Sequence, residues 1–163
     1  MKKLILLFIP LLLLAGCSKA SNIKPVTKGI EFDTRVCYYN ECYEAKGSID
    51  SNGDMRFTIT SPENIAGLEL LLSGENVTAS FGRMEYKNEN PQLFGAFGLI
   101  NKIFIDIREK NGKVLVDDNE YSVEGRADSS EYDLIVSTQG LPIELDADRG
   151  DLEMSFLNVK LIK

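Results

Sequence analysis

Of the 163 residues none is histidine and none is tryptophan. Without histidine the chain lacks the commonest general base near neutral pH, the Ser-His and Cys-His nucleophile pairs, and the usual zinc ligand sets. Catalysis would have to run on carboxylates, lysine or tyrosine, so a non-enzymatic protein without cofactor or metal is the expectation. Long hydrophobic runs are missing as well. The apolar run Leu4 to Leu14 is well short of the roughly 20 residues that a spanning helix needs. Cysteine is scarce, with three in all, and basic residues are the minority charge, 18 against 25 acids.

What stands at the amino terminus is informative. Met1-Lys2-Lys3 is a short basic start, Leu4 to Leu14 an apolar middle, and Leu14-Ala15-Gly16-Cys17 ends it with small residues before a cysteine. A basic start, a short apolar run and small residues form a secretory signal, not an anchor helix. The terminal tetrad reads as a lipobox: small residues fit a narrow peptidase cleft, and the thiol of Cys17 becomes the acyl-carrying first residue. Residues 1–16 are then a lipoprotein signal peptide, residues 17–28 a lipidated tether carrying Pro25, and 29–163 the domain. One acyl chain binds a membrane only marginally, whereas two or more, of the palmitate kind, hold stably.

Removal of residues 1–16 takes Lys2 and Lys3 with it and leaves 147 residues, one ordinary domain, with 16 basic and 25 acidic side chains and a net charge of −9. An acidic surface argues against nucleic acid and against electrostatic adhesion to anionic lipid. The membrane contact is therefore expected through the lipid on Cys17. Cys37 and Cys42 are separated by four residues; in an oxidising compartment they read as a disulfide across a hairpin, and in an anaerobe as a free pair.

Beyond the tether the pattern is mostly β. Ile30 to Tyr39 and Cys42 to Ile49 are rich in aromatic and β-branched residues, and Met55, Phe57 and Ile59 alternate with polar residues, the period of a half-buried strand. Leu68 to Leu72 is a continuous apolar run, and Val77, Ala79 and Phe81 alternate again towards Tyr86. In mid-sequence the period changes. Asn90 suits a helix cap and Pro91 a first helical position, after which Leu93, Phe97, Ile100, Phe104 and Ile107 recur at helical spacing. Asn101, Lys102, Asp106 and Arg108 form a narrow polar face, and Gly112 stands where a terminating glycine often does. A strand over Ile103 to Ile107 is the rival reading. Five further strands follow, at Val114–Val116, Tyr121–Ala127, Tyr132–Thr138, Ile143–Leu145 and Leu152–Ile162. Their short spacings demand antiparallel pairing. The expected fold class is α+β, mostly β: a curved antiparallel sheet, an incomplete barrel, with one apolar helix packed on its concave side.

This pattern resembles the LolA and LolB-like lipoprotein-sorting superfamily, in particular small uncharacterised bacterial lipoproteins related to it. The resemblance rests on Leu14-Ala15-Gly16-Cys17, the hairpin Arg35 to Lys46, Phe57-Thr58-Ile59-Thr60-Ser61-Pro62, Gly67-Leu68 followed by Ser73-Gly74, and the helix after Pro91. It implies a half-barrel whose hydrophobic inner face can hold acyl chains. No functional residue carries over from it except Cys17.

Candidate sites are few. The helix face of Phe94, Phe97, Ile100 and Phe104 lines a hydrophobic pocket or else fills the core. Asp50, Asn52 and Asp54 resemble the start of a calcium loop, but Gly53 is out of place and no acid follows at the twelfth position. Asp146, Asp148 and Asp151 surround a turn, as does Arg149-Gly150-Asp151. Asp117-Asp118-Asn119-Glu120 would serve glycoside hydrolysis only if two acids met in a cleft. The expected function is that of a lipid-anchored binding protein of the cell envelope, on the extracytoplasmic face of a membrane, taking a hydrophobic or acylated ligand. The other reading is a surface module that contacts another envelope protein. Replacing Cys17 by serine is expected to abolish incorporation of radiolabelled palmitate and to leave the protein out of the acylated membrane fraction; labelling of the variant would refute the assignment.

Overall fold

A computed structural model describes residues 22–89, 94–110, 112–117 and 120–162. Residues 1–16, Cys17, Asn90, Pro91, Leu93, Asp118 and Asn119 lie outside the described residues. Alternating apolar and polar positions produce strands β1 (Ile30–Tyr38), β2 (Glu41–Ile49), β3 (Met55–Ser61), β4 (Glu69–Ser73), β5 (Asn76–Phe81) and β6 (Met84–Asn88). Helix α1 (Gly95–Glu109) follows, and then β7 (Leu115–Asp117), β8 (Glu120–Ala127), β9 (Ser130–Val136), β10 (Pro142–Ala147) and β11 (Leu152–Leu161). The stretch Val77 to Tyr86, read from the sequence as one strand, is a hairpin: it turns at Gly82, whose φ of 61° a glycine adopts without strain, and β5 pairs β6 from Phe81↔Met84 onward.

All eleven strands form one antiparallel sheet in the order β6-β5-β4-β3-β2-β1-β11-β10-β9-β8-β7. It is two meanders joined at the centre, where the first and last strands pair from Ile30↔Leu161 to Tyr38↔Leu152. The sheet is not closed, and β6 and β7 are its edges. The helix connects those two edges in sequence and packs on the concave face, touching β8 and β1 most. Its turns place Phe97, Ile100, Ile103, Phe104 and Ile107 on one side, all buried. At about 1.5–3 kcal/mol for each large side chain removed from water, this face contributes on the order of 10 kcal/mol.

Five phenylalanines form a continuous path between helix and sheet. Phe97 meets Phe57 of β3 at 4.9 Å between ring centroids, Phe57 meets Phe32 of β1 at 6.2 Å, Phe32 meets Phe156 of β11 at 5.0 Å, and Phe156 meets Phe104 at 6.1 Å. Edge-on and tilted geometries such as these suit the aromatic quadrupole. The path depends on Gly47, which opposes both Phe32 and Phe57 in register. A Cβ there would lie 2.1 Å from Cε2 of Phe32.

The helix ends as its sequence suggests, with the N–H of Gly112 donating to the Ile107 carbonyl at 2.9 Å. Its outer face differs from expectation. Asn101 is not on a solvated stripe but 1% exposed, its Nδ2 donating to the Gly74 carbonyl at 2.8 Å. Lys102 pairs with Asp128, and Tyr132 donates its hydroxyl proton to Asp106 at 2.9 Å. The β4–β5 and β8–β9 turns close over the helix from the two wings of the sheet, and this removes the solvent that the polar stripe was expected to face.

Residues 22–28, read as part of the tether, lie against the domain. The N–H of Val26 donates to the Gly140 carbonyl at 2.7 Å, Arg108 donates to the Thr27 carbonyl, and Ile23 and Val26 pack on the core. Gly140 makes the crossing possible, since a Cβ there would stand 2.0 Å from the Lys24 carbonyl oxygen. Gly47→Ala is expected to destabilise the domain by about 2 kcal/mol, the usual scale of overpacking, as a lower denaturant midpoint at unchanged slope; an unchanged midpoint would show that the Phe32 ring is free to move aside.

Candidate functional site

The four helix residues expected at a pocket divide into two pairs. Ile100 and Phe104 are fully buried in the core and are not among the residues around the cavity at the start of α1. Phe94 and Phe97, at the start of α1, line one of about 280 Å³. Its other walls are Tyr38 and Tyr43 of the β1–β2 hairpin, Ile59 of β3, Ile65 and Leu68 of the β3–β4 connection, and Leu70 of β4, with Glu41, Gly95 and Ala96 completing it. The concave face of the sheet is therefore filled by the helix, and this hollow lies at one end of it.

Local sequence explains each wall. Tyr38 and Tyr43 sit on the two strands of a hairpin that turns at Tyr39-Asn40, with Tyr39 at a φ of 53°. Cys37 and Cys42 are directly opposed in its register, 4.0 Å apart at Cα, and disulfide-bonded. The bridge thus braces the hairpin whose aromatic side chains wall the cavity. The hydroxyl of Tyr43 donates to Glu41 at 2.5 Å, and this bond, ahead of burial, raises the Tyr43 pKa. The Tyr38 pKa is raised mainly by burial. Both phenols are neutral at physiological pH, and the Glu41 side chain accepts the hydrogen bond of Tyr43. The cavity's chemistry is apolar, with polar groups only at one side.

The remaining candidates fall elsewhere. Oδ1 of Asp50 accepts from the N–H groups of Asn52, Gly53 and Asp54 at 2.8–2.9 Å, so its carboxylate organises the β2–β3 turn. These bonds, that from Asp54 foremost, hold its pKa below the ordinary value. Arg149 and Gly150 belong to a single 3-10 turn after β10, and Asp151 follows it. Glu120 is exposed at the edge hairpin of β7 and β8, where Asp117 opposes it in register. Among the described residues no group of three or more carboxylate or cysteine side chains is placed to hold a metal ion.

One electrostatic feature could not be read from the sequence. On the outer face, Glu124 of β8, Asp133 of β9, Asp146 of β10 and Glu153 of β11 are directly opposed in register, an acidic row across four strands. Like charges directly opposite one another destabilise a sheet. Asp133, in the middle, is partly buried with no partner for Oδ1, and burial followed by Glu124 and Glu120 raises its pKa from the ordinary 3.8. A carboxyl with a raised folded-state pKa stabilises the fold below its unfolded value and loses that contribution as pH rises through the folded one. Asp133→Asn is therefore expected to be more stable than the natural chain at pH 7, by up to about 1 kcal/mol, with the difference vanishing below pH 4 in parallel denaturation curves. A variant equally or less stable at pH 7 would contradict this.

No protein-family model and no curated protein matches the chain. Among solved structures it is similar to a LolA superfamily protein from Nitrosomonas europaea, with 11% identity, 88% of this chain and 90% of that chain covered, and a TM-score of 0.44.

Proposed function

We propose that the protein is a lipid-anchored, non-catalytic binding protein of the cell envelope that holds a single hydrophobic chain in the cavity at the start of α1. The observation that carries this reading is the cavity itself. Its walls are aliphatic and aromatic, its position is at an end of the domain, and a bracing disulfide stands beside it. Its volume, about 280 Å³, lies at the lower edge of the roughly 300–1,000 Å³ usual for ligand pockets. One acyl chain or a compact apolar group matches that size, and the several chains of a mature lipoprotein do not. The packed interior of the half-barrel supports the same restriction, because Ile100 and Phe104 occupy the space that further chains would need. Anchorage through Cys17 is part of the proposal and is supported by the lipobox.

A second reading, a surface module for another envelope protein, has its own observation. The edge hairpin β5–β6 exposes Phe81, Met84 and Tyr86, and exposed apolar groups that cluster mark contact surfaces. Titration of the domain with a dansyl-labelled medium-chain fatty acid separates the two. Saturable binding is expected, weakened at least about tenfold by Leu68→Arg, which sets an unpaired charge in an apolar wall, and unaffected by Met84→Arg. No binding to the natural chain while the probe is monomeric would overturn the cavity reading and leave the hairpin.

A further inference from the structure

The two ends of the domain are chemically different, and the anchor belongs to one of them. At the first end are the start of β1, the finish of α1 and the docked strap of residues 23–27, held by Gly140 and Arg108. At the other are Tyr38 at the finish of β1 and Phe94 and Phe97 at the start of α1, around the cavity. The strand and the helix run antiparallel side by side: Tyr38 is next to Gly95, and Arg108 is next to Gly53 and Thr27. Nine residues of strand put about 26 Å between the ends, and fifteen of helix about 22 Å.

We propose that the docked strap fixes the orientation of the domain on its membrane, with the strap end against the lipid surface and the cavity facing away from it. This rests on the anchored-carrier reading above. From Cys17 to Ile23, the first residue packed on the domain, there are six peptide steps, which span at most about 21 Å when straight. That is shorter than the direct separation of the two ends, and the chain must pass around the domain. The cavity therefore does not meet the anchoring bilayer while the strap is docked, and its hydrophobic ligand is exchanged with a partner on the far side.

The surface at the strap end agrees. Ile143, Leu161 and Ile162 are exposed there, at the start of β10 and the finish of β11, with Lys24, Lys28 and Lys160 beside them. Among the acids at this end, Asp50 accepts from backbone amides, Asp54, Glu109 and Asp50 lie near the charge of Arg108, and Glu31 opposes Lys160 in register. Exposed aliphatic side chains with lysines among them suit the interfacial zone of a bilayer on which acyl chains already hold the protein.

The test uses the full acylated chain in phosphatidylglycerol vesicles that carry a headgroup energy-transfer acceptor. A donor dye is placed by Gln139→Cys at the strap end or by Asn64→Cys beside the cavity; both positions are exposed. Transfer is expected to be severalfold stronger from position 139. Inserting ten Gly/Ser residues between Ser18 and Ser21 is expected to reduce the asymmetry, because the tether no longer limits the orientation. Equal or stronger transfer from position 64 in the natural tether would overturn the proposal, as would a mature terminus whose mass shows no acyl group on Cys17. Failure of the dansyl fatty acid to bind would sink the cavity reading and leave the measured orientation standing.

Discussion

The structure depends on one contact surface, that between the apolar side of α1 and the concave face of the sheet. An open sheet of eleven strands has a large apolar inner face and no second sheet to cover it. The helix provides that cover, and the path Phe97–Phe57–Phe32–Phe156–Phe104 links it to both meanders at the place where β1 and β11 join them. The stabilisation from the buried helix face, on the order of 10 kcal/mol, is comparable to the entire net stability of an ordinary domain. Separation of helix and sheet would expose both faces at once, so the two are expected to fold as a unit.

That same surface decides where a ligand site is possible. A helix long enough to fill the half-barrel leaves little space within it, and the apolar hollow at Phe94 to Phe97 lies where the helix begins. There the sheet wall passes into the disulfide-braced hairpin and the β3–β4 connection. At the opposite end the strap and Arg108 line a separate hollow of about 390 Å³. Burial lowers the pKa of that guanidinium while Asp54, Glu109 and Asp50 favour its charge, and the strap is held there by backbone hydrogen bonds and by Ile23 and Val26 on the core. The asymmetry of the domain follows from the direction in which α1 runs through it.

Much of the fold was legible in the sequence. The period-two strands from Ile30 to Ile59, the change to helical spacing after Pro91, and the short connections that require antiparallel pairing all describe local chain geometry, and local patterns survive into the fold. The hairpin inside Val77 to Tyr86 was missed although the apolar positions shift at Gly82 from Val77, Ala79 and Phe81 to Met84 and Tyr86, because a lone glycine is weak evidence against a strand. Asn101 was misplaced for a different reason. A polar residue on a helix is assigned to solvent unless something is known to cover it, and the covering turns at Gly74 and Asp128 are separated from it by 27 residues in either direction. The division of the expected pocket face into core (Ile100, Phe104) and cavity (Phe94, Phe97) also depended on distant strands.

By itself the sequence determined the class of the fold, the helix and its buried side, and the place of the cysteine pair on a hairpin. Each of these is written in neighbouring residues, as periodicity or turn chemistry. Only the tertiary structure decided the pairing of β1 with β11, the acidic row Glu124–Asp133–Asp146–Glu153, the docking of residues 23–27 at Gly140, and the end at which the apolar cavity lies. Those are registers and contacts between segments far apart in the chain. They are set by which complete arrangement buries the most apolar surface, a property that no local stretch of sequence contains.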